Sequence, residues 1–255
     1  KMISAVGNDN LGKEILLELE NRTTDTNHIQ VLDSQETSQV IVSLNEQGSA
    51  SYNIKQPCAW DFIEFLEKDI TVVRDSDAFI FGSLVARNSV SRNTLFELLK
   101  HAKFKVFDVN LRPPHYNMET LKKLMMHADF IKFNNDEIIE ICTDLGYEES
   151  DLEKCMIFIA IKTNSSHICV TNGDKGAILL SNNEFVYNAG FSVTVADTVG
   201  AGDSFLAIIT SKLLEGADPQ EAIDHASVMG ALVASKNGAN PTVTIDEINA
   251  MMQTK

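Results

Sequence analysis

Positive charge is what this chain of 255 residues has least of: lysine and arginine total 21 against 36 acids, a formal net charge of −15. A nucleic-acid or anionic-membrane surface needs a basic patch, so both are disfavoured as partners. A small basic site for an anionic substrate can still exist inside an acidic protein. Cysteine is scarce too: Cys58, Cys142, Cys155 and Cys169 stand apart with no CxxC pair. They read as buried small side chains in a reducing cytosol, not as a disulfide frame. No apolar run approaches the roughly 20 residues a membrane-spanning helix needs. No signal peptide, low-complexity tract or internal repeat is visible. The histidines (His28, His101, His115, His127, His167, His225) show no metal-ligand spacing such as HExxH. A start methionine is also lacking, since the chain opens at Lys1.

What is present is an ordered alternation. The hydrophobic fraction of 44% is ordinary for a globular protein of one large or two modest domains. "MISAVG" reads as a strand, and "LGKEILLELENR" has helical spacing. From about Ile29 to Ile54, "QVIVSLNEQGSASYNI" alternates apolar and polar residues around "NEQGS", the pattern of a hairpin with one wet face. From about Asp77, strand-like runs "DAFIFG", "KVFDVN", "DFIKFN" and "HICVTN" alternate with helix-like runs. This order predicts a mostly parallel sheet covered by helices on both faces. "DKGAILLS" and "NEFVYNAG" read as antiparallel additions. Helices are expected from Gly202 to Glu215, from Pro219 to Ser235 and from about Asp246.

In such sheets ligands gather beyond the carboxyl ends of the strands. Polar residues recur there: Asp108, Asn110 and Arg112; Asn134 and Glu137; Thr171, Asn172 and Gly173. "DTVGAGDSF", Asp197 to Phe205, precedes a long apolar helix. Its glycines permit close approach by a ligand, and the N–H groups of Gly200, Ala201 and Gly202 can form an anion site at the helix start. Asp203 beside them can accept a proton from a hydroxyl. An N-capping aspartate after a glycine loop explains the same letters, and both readings stay open. A dinucleotide fingerprint needs glycine or alanine where Phe205 stands, and a Walker A loop needs GK[ST] where this chain has GDS.

Five segments in order resemble the ribokinase-like, or PfkB, carbohydrate kinases, with bacterial fructokinases nearest: "ISAVGNDNLGKEI", "VFDVNLRPPHY", "ADFIKFNNDE" with its NxxE, "VTNGDKGA" and "DTVGAGDSF". The resemblance implies a three-layer α/β/α sandwich with a mostly parallel central sheet and a small β lid. On this reading residues 1–28 and 57–255 form the nucleotide- and sugar-binding domain and residues 29–56 the lid. The family's first strand and glycine-rich sugar-binding segment do not precede Lys1, so the chain as written is expected to phosphorylate sugars poorly.

The implied activity is ATP-dependent transfer of a phosphoryl group to a primary hydroxyl of a ketose, fructose first. The alternatives are 2-keto-3-deoxygluconate, another sugar, or a non-catalytic sugar or nucleotide sensor. Carried over by position, Asp203 is the base, Gly200, Ala201 and Gly202 the anion hole, and Arg112 a contact to phosphates or sugar. Asn134, Thr171, Gly173, Gly176 and Asn237 border ATP. Asn134 and Glu137 organise Mg2+ through water, although "NNDE" equally fits a helix cap. Asp197, Val199, Ala234 and Gly238 offer oxygens to a monovalent cation such as K+. Asp108 and Asn110 hold their loop. The implied partners are a small sugar and ATP, with a homodimer through the lid, in the cytoplasm.

Overall fold

The computed structural model describes residues 1–44 and 50–253, and the side chains of 42–44 and 50–52 are not considered. The "NEQGS" turn lies outside the described residues. The chain divides into two units, one of 1–76 with 84–103, the other of 77–83 with 104–255.

The first unit opens with strand β1 (Ser4–Gly7), helix α1 (Asn10–Asn21) and strand β2 (Ile29–Leu32). β2 pairs in parallel with β1, so Ile29 begins the closing strand of a βαβ unit and not the hairpin. The alternation expected from Ile29 starts only at β3 (Val40–Leu44), which pairs antiparallel with β4 (Ala50–Ile54). Helix α2 (Glu67–Asp75) and helix α3 (Ser89–Leu99) complete the unit. α2 was not expected, because Ile70, Thr71, Val72 and Val73 are β-branched and give a strand-like signal. Its core gathers Ala5, Ala59 and Ile63 with Trp60 packed against them. Beside Trp60 lies a buried fork: Arg87 Nε and Nη2 donate to Asp61 Oδ1 and Oδ2, both at 2.7 Å. The guanidinium also stands 4.0 Å above the Trp60 ring centre.

The second unit is a six-stranded sheet in the order β10-β9-β8-β7-β6-β5. Strands β5 (Phe79–Gly82), β6 (Lys105–Asp108), β7 (Phe130–Asn134) and β8 (His167–Thr171) are parallel. β9 (Ala177–Ser181) and β10 (Glu184–Asn188) add antiparallel, as their sequence suggested. The turn between them uses Asn182 and Asn183, both at positive φ, which a two-residue hairpin of right-handed twist requires. Helices α4 (Met118–His127), α5 (Asn135–Asp144) and α6 (Leu152–Thr163) touch β6, β7 and β8. Helices α7 (Ala201–Leu214) and α8 (Pro219–Ala234) pack on the other face, and α9 (Ile245–Met252) follows against α8. Period-two alternation divides the strands between these layers: Val106, Phe130 and Cys169 join Phe205, Leu206 and Ile209 of α7, while Phe107, Ile131 and Ile168 turn to the opposite face, all fully buried.

Among the described residues no helix is long and apolar enough to cross a membrane.

The Asp61–Arg87 pair makes a clear prediction. Asp61→Ala strands a guanidinium whose side chain is 5% exposed, at a cost of about 3–5 kcal/mol. Urea unfolding should show this loss, and an unchanged midpoint would show that the pair ties nothing down.

Candidate active site

The sheet register builds the floor of the site. Asp108 stands opposite Lys132, and Lys132 opposite Cys169. Val106, Phe130 and Cys169 already face α7. Two residues further along β6 and β7, Asp108 and Lys132 point to the same side. There Lys132 Nζ donates to Asp108 Oδ1 at 2.9 Å. Both are buried, at 7% and 8% exposure. Burial works against the Lys132 charge, but Asp108 outweighs it and holds the ammonium above the usual lysine range. Burial pushes the Asp108 carboxyl up and Lys132 pulls it back. Asp203 is close enough to add to the upward push, and Arg112 to oppose it. The strand ends, Arg112 and the α7 start therefore share one electrostatic neighbourhood.

The start of α7 is shaped by Gly200. Its φ is 83°, and a Cβ there would lie 2.0 Å from the Ala239 carbonyl oxygen, so only glycine fits. No side chain caps this helix. The Gly200 carbonyl accepts the Ser204 N–H at 2.9 Å, and the Ala201 N–H is given to Thr198 O at 3.3 Å. Gly202 is exposed, and the nearest atom to a Cβ built on it is Lys132 Nζ, at 3.7 Å. Asp203 follows in the first turn and is also exposed. It stands exposed beside the buried Asp108–Lys132 ion pair. The physical reason is its position, since the first turn of α7 projects past the apolar contacts that begin at Phe205.

The other expected residues fall into three groups. Asn134 and Glu137 form a capping box: Asn134 Oδ1 accepts the Glu137 N–H, and Glu137 Oε2 the Asn134 N–H, each at 2.8 Å. Glu137 Oε1 also accepts the Leu111 N–H at 2.8 Å, tying the loop after β6 to α5. Burial raises the Glu137 carboxyl, against the lowering by these two amides. Arg112 is exposed and donates from Nη1 to Leu111 O at 2.9 Å. Asn110 holds positive φ in that loop, and its carbonyl accepts from Ser83 Oγ at 3.4 Å.

Thr171 ends β8 and donates to Phe133 O at 3.3 Å. A Cβ on Gly173 would meet nothing within 4 Å, while Gly176 at φ 85° would bring a Cβ to 1.9 Å from Asn188 O. These three border the turn between β8 and β9. Asp197 gathers its own turn and the end of α8: its Oδ1 accepts Val199 N–H at 3.0 Å and its Oδ2 accepts Gly238 N–H at 3.2 Å. The Ala234 carbonyl accepts both Ala196 and Asp197 N–H. Each of these three oxygens accepts backbone amides and, as a carbonyl or carboxylate oxygen, has more than one lone pair. Asn237 is exposed beside it.

Lys132 was missed by sequence reasoning. Its signal was a single cation inside the apolar run "FIKF", whose four positions are all buried.

Comparison with known proteins gives this arrangement its class. Residues 1–246 match the pfkB family carbohydrate kinase family, and the chain belongs to it. A sugar kinase from Pyrococcus horikoshii is 28% identical over 97% of this chain and 78% of its own length. Its structure in complex with ATP has a TM-score of 0.79 at 27% identity, over 93% of this chain and 77% of that one. A fructokinase from Escherichia coli is 28% identical over 93% of this chain and 80% of its own. A ribokinase from Thermotoga maritima, at 21% identity and a TM-score of 0.80 over 98% of this chain and 80% of that one, shares the fold. The protein is a ribokinase-like sugar kinase, a phosphotransferase with an alcohol group as acceptor.

Two glycine variants separate packing from chemistry. Gly200→Ala should cost about 1–3 kcal/mol through backbone strain and lower sugar phosphorylation. Gly202→Ala meets no backbone atom, so its Tm should hold or rise, by at most about 1 kcal/mol of stability. Its methyl nevertheless stands over Lys132, and phosphorylation should fall. Equal Tm losses in both variants would contradict this division.

Proposed function

We propose that this kinase moves the γ-phosphoryl group of ATP to a primary hydroxyl of a ketose, with fructose the first substrate to test. One observation carries the reading: an uncapped helix start holds Asp203 in its first turn and lies directly over a buried ammonium. In the transfer the bond from the γ-phosphorus to the bridging oxygen breaks and a new O–P bond forms to the sugar. The hydroxyl proton goes to Asp203, and ADP leaves with the electron pair. Such transitions are loose, so orientation and charge neutralisation carry most of the rate. The α7 amides and dipole favour the incoming anion, and we assign Arg112, on the loop after β6, to contact it. Thr171, Gly173, Gly176 and Asn237 are the residues we assign to the nucleotide.

Magnesium belongs to the same proposal. Both Glu137 oxygens already accept backbone N–H groups, so Asn134 and Glu137 would hold it through its waters. Bound to the phosphates, it neutralises their charge. Fructose is favoured by the fructokinase relative. The hairpin β3–β4, within residues 29–56, is assigned as lid and as the place where two copies would pair, since Val40 and Ile41 are more than half exposed there. Four free, buried cysteines support a reducing cytoplasmic setting.

Asp203→Asn keeps the shape and removes the base. Turnover should fall about 10²–10⁴-fold while calorimetry shows ATP affinity within about threefold of the parent. The parent should release ADP with fructose in a panel of ketoses, aldoses and nucleosides. Turnover unaffected by the substitution would remove Asp203 from the chemistry, and a stronger response to an aldose or nucleoside would replace fructose.

A further inference from the structure

Lys132 is a charge that packing alone does not call for. It lies in β7 between Ile131 and Phe133, both fully buried. An apolar side chain would complete this strand, and a buried ion pair is often no more stabilising than an apolar pair of the same volume. Charges kept inside a fold at such a cost cluster at functional sites.

Three observations give the ammonium a direction. Its Nζ is 3.7 Å from the position a Cβ on Gly202 would occupy. Gly202 has no side chain and is exposed, so a ligand atom can enter where a side chain would stand. Among the described residues Asp108 Oδ1 is the one acceptor recorded for Lys132 Nζ, which leaves two of its three N–H bonds for a ligand. The surroundings need such a cation. Asp108, Glu137 and Asp203 are all near enough to shift the charges of this cluster. A phosphate arriving here meets three carboxylates, while the exposed Arg112 is spent in part on the Leu111 carbonyl.

We propose that Lys132 is a catalytic cation of the phosphoryl transfer: its Nζ reaches through the gap at Gly202 to an oxygen of the group in flight, and Asp108 is the positioning residue that holds it there. This rests on the α7 start being the place of transfer. Lys132 keeps its proton throughout, and the bonds made and broken are those already given. Charge spreads over the equatorial oxygens in the loose transition state, so a fixed ammonium beside them acts more strongly there than on bound ATP. Asp108 prevents the ammonium from losing its proton in a buried place.

The test must separate catalysis from packing. Lys132→Met alone leaves Asp108 buried and unpaired, so the main variant is Lys132→Met with Asp108→Leu. It should melt at or above the parent temperature, with KM for sugar and ATP within about threefold, and kcat should fall about 10²–10³-fold. A second readout is binding: aluminium fluoride, which with ADP mimics the phosphoryl group in transfer, should tighten ADP binding to the parent but not to the double variant. Lys132→Gln, which keeps a neutral donor toward Asp108, should show the same loss in kcat and gives the answer if the double variant does not fold. A folded double variant or Lys132→Gln with kcat within about threefold of the parent would make the pair structural and overturn the proposal. Asp203→Asn run beside it tells the two failures apart. If that variant turns over normally, the transfer site itself is misplaced; if it is inactive while the Lys132 variants work, only the role of Lys132 is wrong.

Discussion

A lysine ammonium buried at the carboxyl ends of a parallel sheet survives only beside a counter-charge, and Asp108 supplies it at 2.9 Å. The contact follows from register: Asp108 and Lys132 are opposed across β6 and β7, on the face that α7 covers. It fixes a positive charge under the one place where α7 carries neither a cap nor a side chain. In a chain with a net charge of −15, a site for a phosphorylated nucleotide depends on local cations of this kind. The loops around it are then held chiefly through backbone amides, with the Glu137 carboxylate accepting from Leu111 and Asn134.

The glycines divide the labour at the helix start. Gly200 is required by backbone geometry, since its positive φ and the Ala239 carbonyl leave no room for a side chain. Gly202 is under no such constraint, since a Cβ built there would meet only Lys132 Nζ, at 3.7 Å. Asp203 stands free of the apolar contacts that begin at Phe205, which leaves it able to meet an acceptor from solvent. Asp203 is thus an exposed acid beside a buried, ion-paired cation.

Much of this was legible in the letters. The parallel order from "DAFIFG" to "HICVTN" is the observed β5 to β8, because buried strands written in β-branched and aromatic residues have few alternatives. The "TVGAGDSF" turn and the "NNDE" cap are local chemistry and were readable as such. Three things were not. Ile29–Leu32 looked like the first part of a hairpin, but its partner β1 lies some 25 residues earlier and no local pattern announces it. Helix α2 was hidden by β-branched residues that tertiary contacts hold in a helix. Lys132 was passed over because one cation in a strand carries no periodic signal; only the register shows that Asp108 lies opposite it.

The central claim is spatial: the phosphoryl group passes between the first turn of α7 and the Lys132 ammonium. The most direct measurement is a crystal structure of the full chain with ADP, magnesium, aluminium fluoride and fructose. The account predicts the fluoride ligands within about 2.7–3.1 Å of Lys132 Nζ and of the α7 amides, with Asp203 at the sugar hydroxyl. A mimic seated away from Gly202, with Lys132 bonded to Asp108 alone, would contradict it.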